Sequence, residues 1–415
     1  MEKPLKKVLI IGGGFAGLRA LYKLSDYDYH FEITVVDRHD YSLERPALPE
    51  VALEGKSVEK VHIELPPVLR RHDAAWVQGE VTRIDPQARK VLLDDGSELP
   101  YDYLLIAAGA VKDYDAIPGY REYGYSVCDD TEALRLHERL KSFEYGRIVT
   151  GAARSQFGTR VEAPRLNAPC EGPIGEVMFM LDHELRKKGT RDQSSITVFS
   201  PSEIFFEDVG DKAREPVAQI MKERDISLYT NKVLRSIGPE SVTFEDGSEF
   251  PCDLAIVIPP YAAPKFVAES GLGDDKGWIP TDRSMKHLDY DEIYAIGDLN
   301  ALSQPKLGHI AIHQADVAVS AILRAEGLSD EEAIPYHPEV FCIMNMGGMD
   351  ATLIFSDALY HGGHDMAWHS KLAKLMKTGF DDEYHYTHGH MPPDRVVEVV
   401  EEILQRESRV DDERS

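Results

Sequence analysis

Lys7-Val8-Leu9-Ile10-Ile11-Gly12-Gly13-Gly14-Phe15-Ala16-Gly17 is the stretch that decides the fold. Residues 7–11 read as a short buried strand that stops at glycines. Gly12 permits a tight turn, Gly14 lets backbone approach a pyrophosphate, and Gly17 lets the following helix pack on the strand. That helix, expected to run to about residue 24, offers phosphate its unpaired N–H groups and the positive end of its dipole. A second buried strand over 31–36 ends at Asp37, about 20 residues beyond Gly17, where a carboxylate binds ribose hydroxyls. Glycines alone would say little. Strand, triplet, helix and acid together predict a dinucleotide-binding unit.

Strand alternating with helix predicts an α/β chain with parallel, doubly wound sheets. Residues 77–85 and 90–93 read as an antiparallel ribbon around Asp94-Asp95-Gly96-Ser97, and 103–107 as a buried strand closed by Ala108-Gly109-Ala110. The same order then returns: a strand over 147–150, a helix over 172–187, a strand over 196–200, a ribbon at 242–244 and a strand over 254–259. The reading is therefore two Rossmann-like units, the second inserted into the first. Residues 1–120 and 251–330 form one and 121–250 the other. A C-terminal region over 331–415 has strands over 340–344 and 351–355 and an amphipathic helix over 366–376. Glu292–Ile296 leads through Gly297-Asp298 into a helix over 308–325 that returns to the first unit.

The chain has 415 residues and a formal net charge of −26, which disfavours nucleic acid because every phosphate contact would work against the global field. No window approaches the ~18–20 apolar residues that span a bilayer, and the N-terminus reads as a strand and not as a signal peptide. Synthesis and folding in the cytoplasm are expected. The tail over 405–415 is polar and expected to fray. Four cysteines without a C-x-x-C pair make neither a disulfide framework nor a structural zinc site. His361, His364, His385, His388 and His390 are irregularly spaced and read as loop residues, so no metal is expected.

The second unit is degenerate where a nicotinamide would dock. Gly151-Ala152-Ala153-Arg154-Ser155-Gln156-Phe157 keeps one glycine of three, and no helix follows directly. Electrons are therefore expected to enter by another group, and sulfur is available. Cys170 sits just before a helix, whose N-terminus lowers a thiol pKa, and Pro173 suits the first turn. Cys252, opening a strand, reads as an ordinary buried thiol.

Tyr294-Ala295-Ile296-Gly297-Asp298 resembles the second FAD fingerprint of the two-domain flavin disulfide reductase superfamily, in which the aspartate holds the ribityl chain. Ile106-Ala107-Ala108-Gly109-Ala110, with Ile117-Pro118-Gly119 behind it, resembles that superfamily's middle motif. From about residue 5 to 390 the chain resembles the sulfide:quinone oxidoreductases, relatives of flavocytochrome c sulfide dehydrogenase. The specific marks are Cys-x-Gly-Pro-x-x-Glu from Cys170 to Glu176, Cys128 after the middle motif, and Cys342 before Met346-Gly347-Gly348. Pro305-Lys306-Leu307-Gly308 precedes the last helix of the first unit, and Arg45-Pro46-Ala47-Leu48-Pro49 resembles the family's segment over the flavin.

The resemblance implies FAD as cofactor, with sulfide and a membrane quinone as substrates. It implies that Cys170 and Cys342 carry a disulfide or polysulfide bridge on one flavin face, which hydrosulfide attacks. Cys128 is implied as a third site cysteine and as a thioether tether for the flavin. Lys306 and the helix start at Gly308 would stabilise negative charge at the reduced ring. Some relatives carry a histidine shortly after the first cysteine. Here the residues are Asp129-Asp130-Thr131-Glu132, so either Glu132 or no local group moves protons, and the group that protonates the quinone is unassigned.

Trp368, Leu372, Leu375 and Met376 can share a helical face beside Lys371, Lys374 and Lys377, a pattern suited to a lipid surface. A peripheral, monotopic membrane protein is expected, on a face that the sequence leaves open. Phe355, Phe380 and Tyr384 are placed at the quinone, and a second copy of the chain is kept among the partners. Two rival readings remain: a type II NADH:quinone oxidoreductase, which needs a working nicotinamide site, and a non-catalytic flavin redox sensor, which needs no meeting of cysteines.

Overall fold

The computed structural model describes residues 4–159 and 165–391; the polar tail over 405–415 lies outside the described residues. Two five-stranded parallel sheets carry the architecture. The first runs in the order Ile293–Ala295, Tyr103–Ile106, Lys6–Ile11, Phe31–Asp37, Ala75–Gln78. The second repeats that plan with Gly124–Tyr125, Leu254–Ile258, Arg147–Ala152, Ser195–Phe199 and Ile226–Tyr229. In each the central strand is buried on both faces, so its sequence is a continuous apolar run and not an alternation. Helices Phe15–Ser25 and Gly308–Ala325 pack together over the first sheet, pinned by Arg19 donating to both Asp316 oxygens at 2.6 and 2.9 Å.

Two boundaries differ from the sequence reading. Leu254–Ile258, which a crossing at residue 251 would give to the first unit, pairs in parallel with Arg147–Ala152 in the second sheet. The chain crosses back beyond it, at a two-stranded link between Val111–Lys112 and Tyr261–Ala262. The ribbon over 77–85 is also divided. Ala75–Gln78 joins the first parallel sheet, and only Val81–Asp85 enters the antiparallel ribbon, because the chain turns at Gly79.

The C-terminal region corrects a larger expectation. Val340–Asn345, Ala351–Ser356 and Asp365–His369 form a three-stranded antiparallel sheet, and the helix is Lys371–Tyr386. Trp368 is therefore opposite Leu353 in a strand and not on a helical face. Asp365-Met366-Ala367-Trp368-His369 leads to Ser370, whose hydroxyl caps the helix by accepting from Leu372 N at 3.1 Å. The period changes from strand to helix at that serine. The lysine row is divided too: Lys371 is exposed, but Lys374 and Lys377 are only 9% and 5% exposed. Lys374 faces Glu50 at 3.5 Å, and Lys377 faces Glu176 at 3.6 Å and donates to Pro46 O at 3.3 Å. Those two lysines bind the helix to the protein and cannot face lipid.

Removing one partner of a buried pair strands the other charge. Lys377→Met is expected to destabilise the fold by about 3–5 kcal/mol in urea unfolding. Lys371→Glu is expected to stay within about 0.5 kcal/mol of the parent. Equal effects would contradict the division of the lysine row.

Candidate functional site

The glycine-rich turn is shaped as a cradle. Gly12 has φ +102°, and a Cβ there would stand 2.4 Å from Ala107 O; at Gly17 it would stand 1.9 Å from Gly12 O. Both positions are closed by backbone. Gly14 and Gly109 are the opposite case, with nothing within 4 Å of where a Cβ would be. No side chain caps the helix that starts at Phe15, so its first N–H groups remain available. Asp37 lies across the turn, accepting from Gly13 N at 2.7 Å and His39 N at 2.9 Å, with further lone pairs for a ribose.

The other end of the cradle is a cleft lined by Gly297, Asp298, Gln304, Lys306, Leu307 and Ala311. Gly297 has φ +79° and donates its N–H to Gln314 Oε1 at 2.6 Å. Lys112 approaches Asp298 to 3.9 Å. Burial pushes both Lys112 and Lys306 down to about 8. Leu307, preceding the helix that opens at Gly308, supplies no side-chain cap, so a second free helix start faces this end. Arg45 donates to Cys128 O at 2.5 Å, and the carbonyl of Pro46 accepts from Lys377, fixing the segment between the cleft and the C-terminal helix. A donor-rich turn, an open lane past Gly14 and Gly109, and a carboxylate at each end fit an FAD. The segment around Ala108 lies where the first sheet meets that lane.

Beside it the cysteines converge. Cys342 Sγ and Cys170 Sγ lie 3.8 and 3.9 Å from the same point, where a Cβ on Gly172 would stand. Their separation cannot exceed those two distances together, which a short chain of sulfur atoms spans. Both are free thiols in this structure. Pro169 O, just before Cys170, accepts from Lys306 N at 2.8 Å, and Leu307 lines both the cofactor cleft and the cleft holding Cys342 and Gly172. Cys128, also buried, takes a contact from Tyr261 Oη at 3.7 Å, and Tyr261 lies under Lys112 Nζ at 4.2 Å. Cys252 sits apart in the core of the second unit.

One expectation about these thiols is reversed. The helix start was expected to lower the Cys170 pKa. Burial instead pushes it up, helped by Asp208 and Cys342, and only the Gly172 N–H opposes. Cys342 is pushed up to about 12, again chiefly by burial. Desolvation exceeds the helix start for a thiol packed this deeply.

The glycine-poor loop after the central strand of the second unit is closely packed. A Cβ on Gly158 would meet Ala301 O at 2.3 Å, and Gln156 O accepts from Trp278 Nε1 at 2.8 Å, so this loop packs on the first unit. Helix Gly172–Lys188 begins behind Glu171, whose buried carboxylate accepts from Ser200 Oγ at 2.6 Å and Phe206 N at 2.7 Å.

Sequence reasoning missed the charges behind the sulfur cleft. Glu176 accepts from Asn345 N at 2.9 Å, while Glu50 meets Lys56 at 3.0 Å and Lys56 meets Asp381 at 3.5 Å. Burial pushes Glu176 up to about 7. Four widely separated segments supply these groups, and no local pattern links them. The aromatic candidates meet only in part. Tyr384 stacks on Phe15 at 5.0 Å and on Phe380 at 5.9 Å, whereas Phe355 belongs to a separate cluster in the C-terminal sheet. Among the described residues no group of three or more His, Cys, Asp or Glu could hold a metal.

Glu171 yields a pH test. Burial pushes it up to about 8, so the folded state holds its proton more tightly than the unfolded chain does. Its contribution to stability is full below the ordinary carboxylate range and is lost as pH rises through about 8. Glu171→Gln should match the parent's Tm near about pH 4 and melt higher near about pH 9, in thermal unfolding at both. Equal Tm at the higher pH would contradict the burial of this carboxyl.

Residues 6–315 match the family described as pyridine nucleotide-disulphide oxidoreductase. The chain is 25% identical over 425 residues to the sulfide-quinone reductase of Aquifex aeolicus, covering 96% of this chain and 95% of that one. It is 23% identical over 348 residues to the type II NADH:quinone oxidoreductase of Staphylococcus aureus, covering 80% and 86%. The solved sulfide:quinone oxidoreductase of Aquifex aeolicus superposes with a TM-score of 0.85 at 24% identity over 95% of both chains. The chain is thus an FAD-dependent oxidoreductase and belongs to the pyridine nucleotide-disulphide oxidoreductase family.

Proposed function

We propose that this protein oxidises sulfide to polysulfide or sulfur and reduces a membrane quinone. The observation that carries the reading is the meeting of Cys170 and Cys342 at Gly172, next to the cofactor cleft. Bound FAD supplies a two-electron acceptor that can discharge to a quinone. The chain's own residues do the rest. Cys170 and Cys342 hold a sulfur bridge, and hydrosulfide bonds to one bridge sulfur while the electron pair of the broken bond leaves on the other side. Packing around Cys170 limits access of water to that exchange. Lys112 and Lys306, each easily deprotonated for a lysine, can place positive charge at the Asp298 end of the cleft.

A nicotinamide donor is disfavoured by Glu171 at the helix start and by the packing of Gln156 and Gly158 on the first unit. Phe380 and Tyr384 offer the quinone a stacked aromatic pair on the C-terminal helix. The same helix exposes Leu372 and Leu375, the apolar side chains it can offer to a lipid surface. No described helix is long and apolar enough to cross a membrane.

Cys170→Ser and Cys342→Ser are each expected to abolish sulfide-dependent quinone reduction while keeping a full complement of FAD, and Cys252→Ser should keep both. Stopped-flow reduction of the flavin by sulfide, but not by NADH, is the companion result. Normal sulfide turnover in both cysteine variants, or rapid bleaching by NADH alone, would overturn the reading.

A further inference from the structure

The sulfur cleft contains a group that the cysteine chemistry leaves unused. Asp208 sits in the loop between strand Ser195–Phe199 and helix Asp211–Glu223, and it lines the cleft together with Gly172 and Cys342. It is 7% exposed, and its Oδ1 has no hydrogen-bond partner among the described residues. A buried carboxyl oxygen without a partner is costly, and a pocket is where such a group acquires a use.

The loop is built to hold it there. Glu171 clamps Phe206 N and Ser200 Oγ, and Glu207 Oε1 accepts from Asn167 N at 2.5 Å and Ala168 N at 2.9 Å, tying the loop to the approach to Cys170. Arg214 donates to Val209 O, and Phe206 adopts φ +57°, a left-handed conformation that a bulky residue takes only under constraint. The ionisable groups around Asp208 are Glu207 on its own loop, Arg214 on the following helix, and Cys170 and Glu171 at the next helix start. Cys342 and Tyr360 face it from the C-terminal region. Burial, with Glu207, pushes Asp208 up to about 6, against its own backbone hydrogen bond and Arg214.

We propose that Asp208 is the proton-transfer group of the sulfur cleft, accepting the proton of the persulfide that hydrosulfide forms on the cysteine bridge. This rests on the sulfide-oxidising reading above. Hydrosulfide forms an S–S bond to one bridge sulfur, and that sulfur's bond toward the other cysteine breaks. Its electron pair leaves on the other cysteine as thiolate, so sulfide is oxidised as the bridge is reduced. The product, Cys–S–SH, passes its proton to the Asp208 carboxylate and becomes Cys–S–S⁻, a nucleophile for further chain growth. Asp208 then returns the proton to solvent through the open side of the cleft at Cys342, which is partly exposed.

The test compares wild type, Asp208→Asn and Asp208→Glu, each loaded with FAD. Wild type should gain sulfide-dependent flavin reduction as pH rises through about 6. Asp208→Asn should lose that limb and about a hundredfold in rate, and Asp208→Glu should restore a limb displaced in pH. A second readout is independent of turnover: iodoacetamide should alkylate Cys342 faster in Asp208→Asn at neutral pH, because a negative charge no longer opposes the thiolate. An Asp208→Asn enzyme with wild-type rate, pH profile and alkylation overturns the role of Asp208 and leaves the sulfide reading standing. A wild type inert toward sulfide overturns that reading itself. Should Asp208→Asn fail to fold, the glutamate decides: a displaced limb supports the role, and an unmoved one overturns it.

Discussion

The meeting of the Cys170 and Cys342 sulfurs beside Gly172 is the constraint on which the site turns. A methyl group there would touch the sulfurs of Cys170 and Cys342 together, from segments more than a hundred residues apart in the chain. The start of helix Gly172–Lys188 is thereby the meeting place of a loop from the second unit and a strand of the C-terminal sheet. The buried charges behind it follow from the same junction. Glu176, one turn further along the helix, holds Asn345 and Lys377, so the C-terminal sheet and helix are locked to the helix that begins just after Cys170.

The same junction constrains the second unit. Its sheet repeats the first in order and direction, so the fold is retained. The loop after its central strand packs on Trp278 and Ala301, and a carboxylate and a thiol occupy the approach to its main helix. Under the proposed function, the second unit supplies Cys170 beside a cleft of the first. Leu307, shared by both clefts, marks the boundary.

Much of this was legible in the sequence where the chemistry is local. The turn over Gly12–Gly17 with Asp37, and the Gly297-Asp298 corner, are set by backbone conformation and close approach, which a short string of residues encodes. The C-terminal helix was misplaced because residues 366–376 mix two periods, with a strand up to His369 and a helix after Ser370. Lys374 and Lys377 looked like a basic face because their partners, Glu50 and Glu176, lie far away in sequence. The thiol pKa was misjudged for a related reason: a helix start is visible in a sequence, but the depth of packing that outweighs it is not. Asp208 has no motif at all, and only the fold brings it to the cleft.

The central claim is that sulfur can join Cys170 to Cys342. Peptide mass mapping under non-reducing conditions, after brief exposure of the oxidised enzyme to limiting sulfide, tests it most directly. The account predicts one cross-linked species containing both cysteines, heavier than a plain disulfide by whole sulfur atoms. Two separately alkylated peptides with no shared bridge, from enzyme that had consumed sulfide, would contradict it.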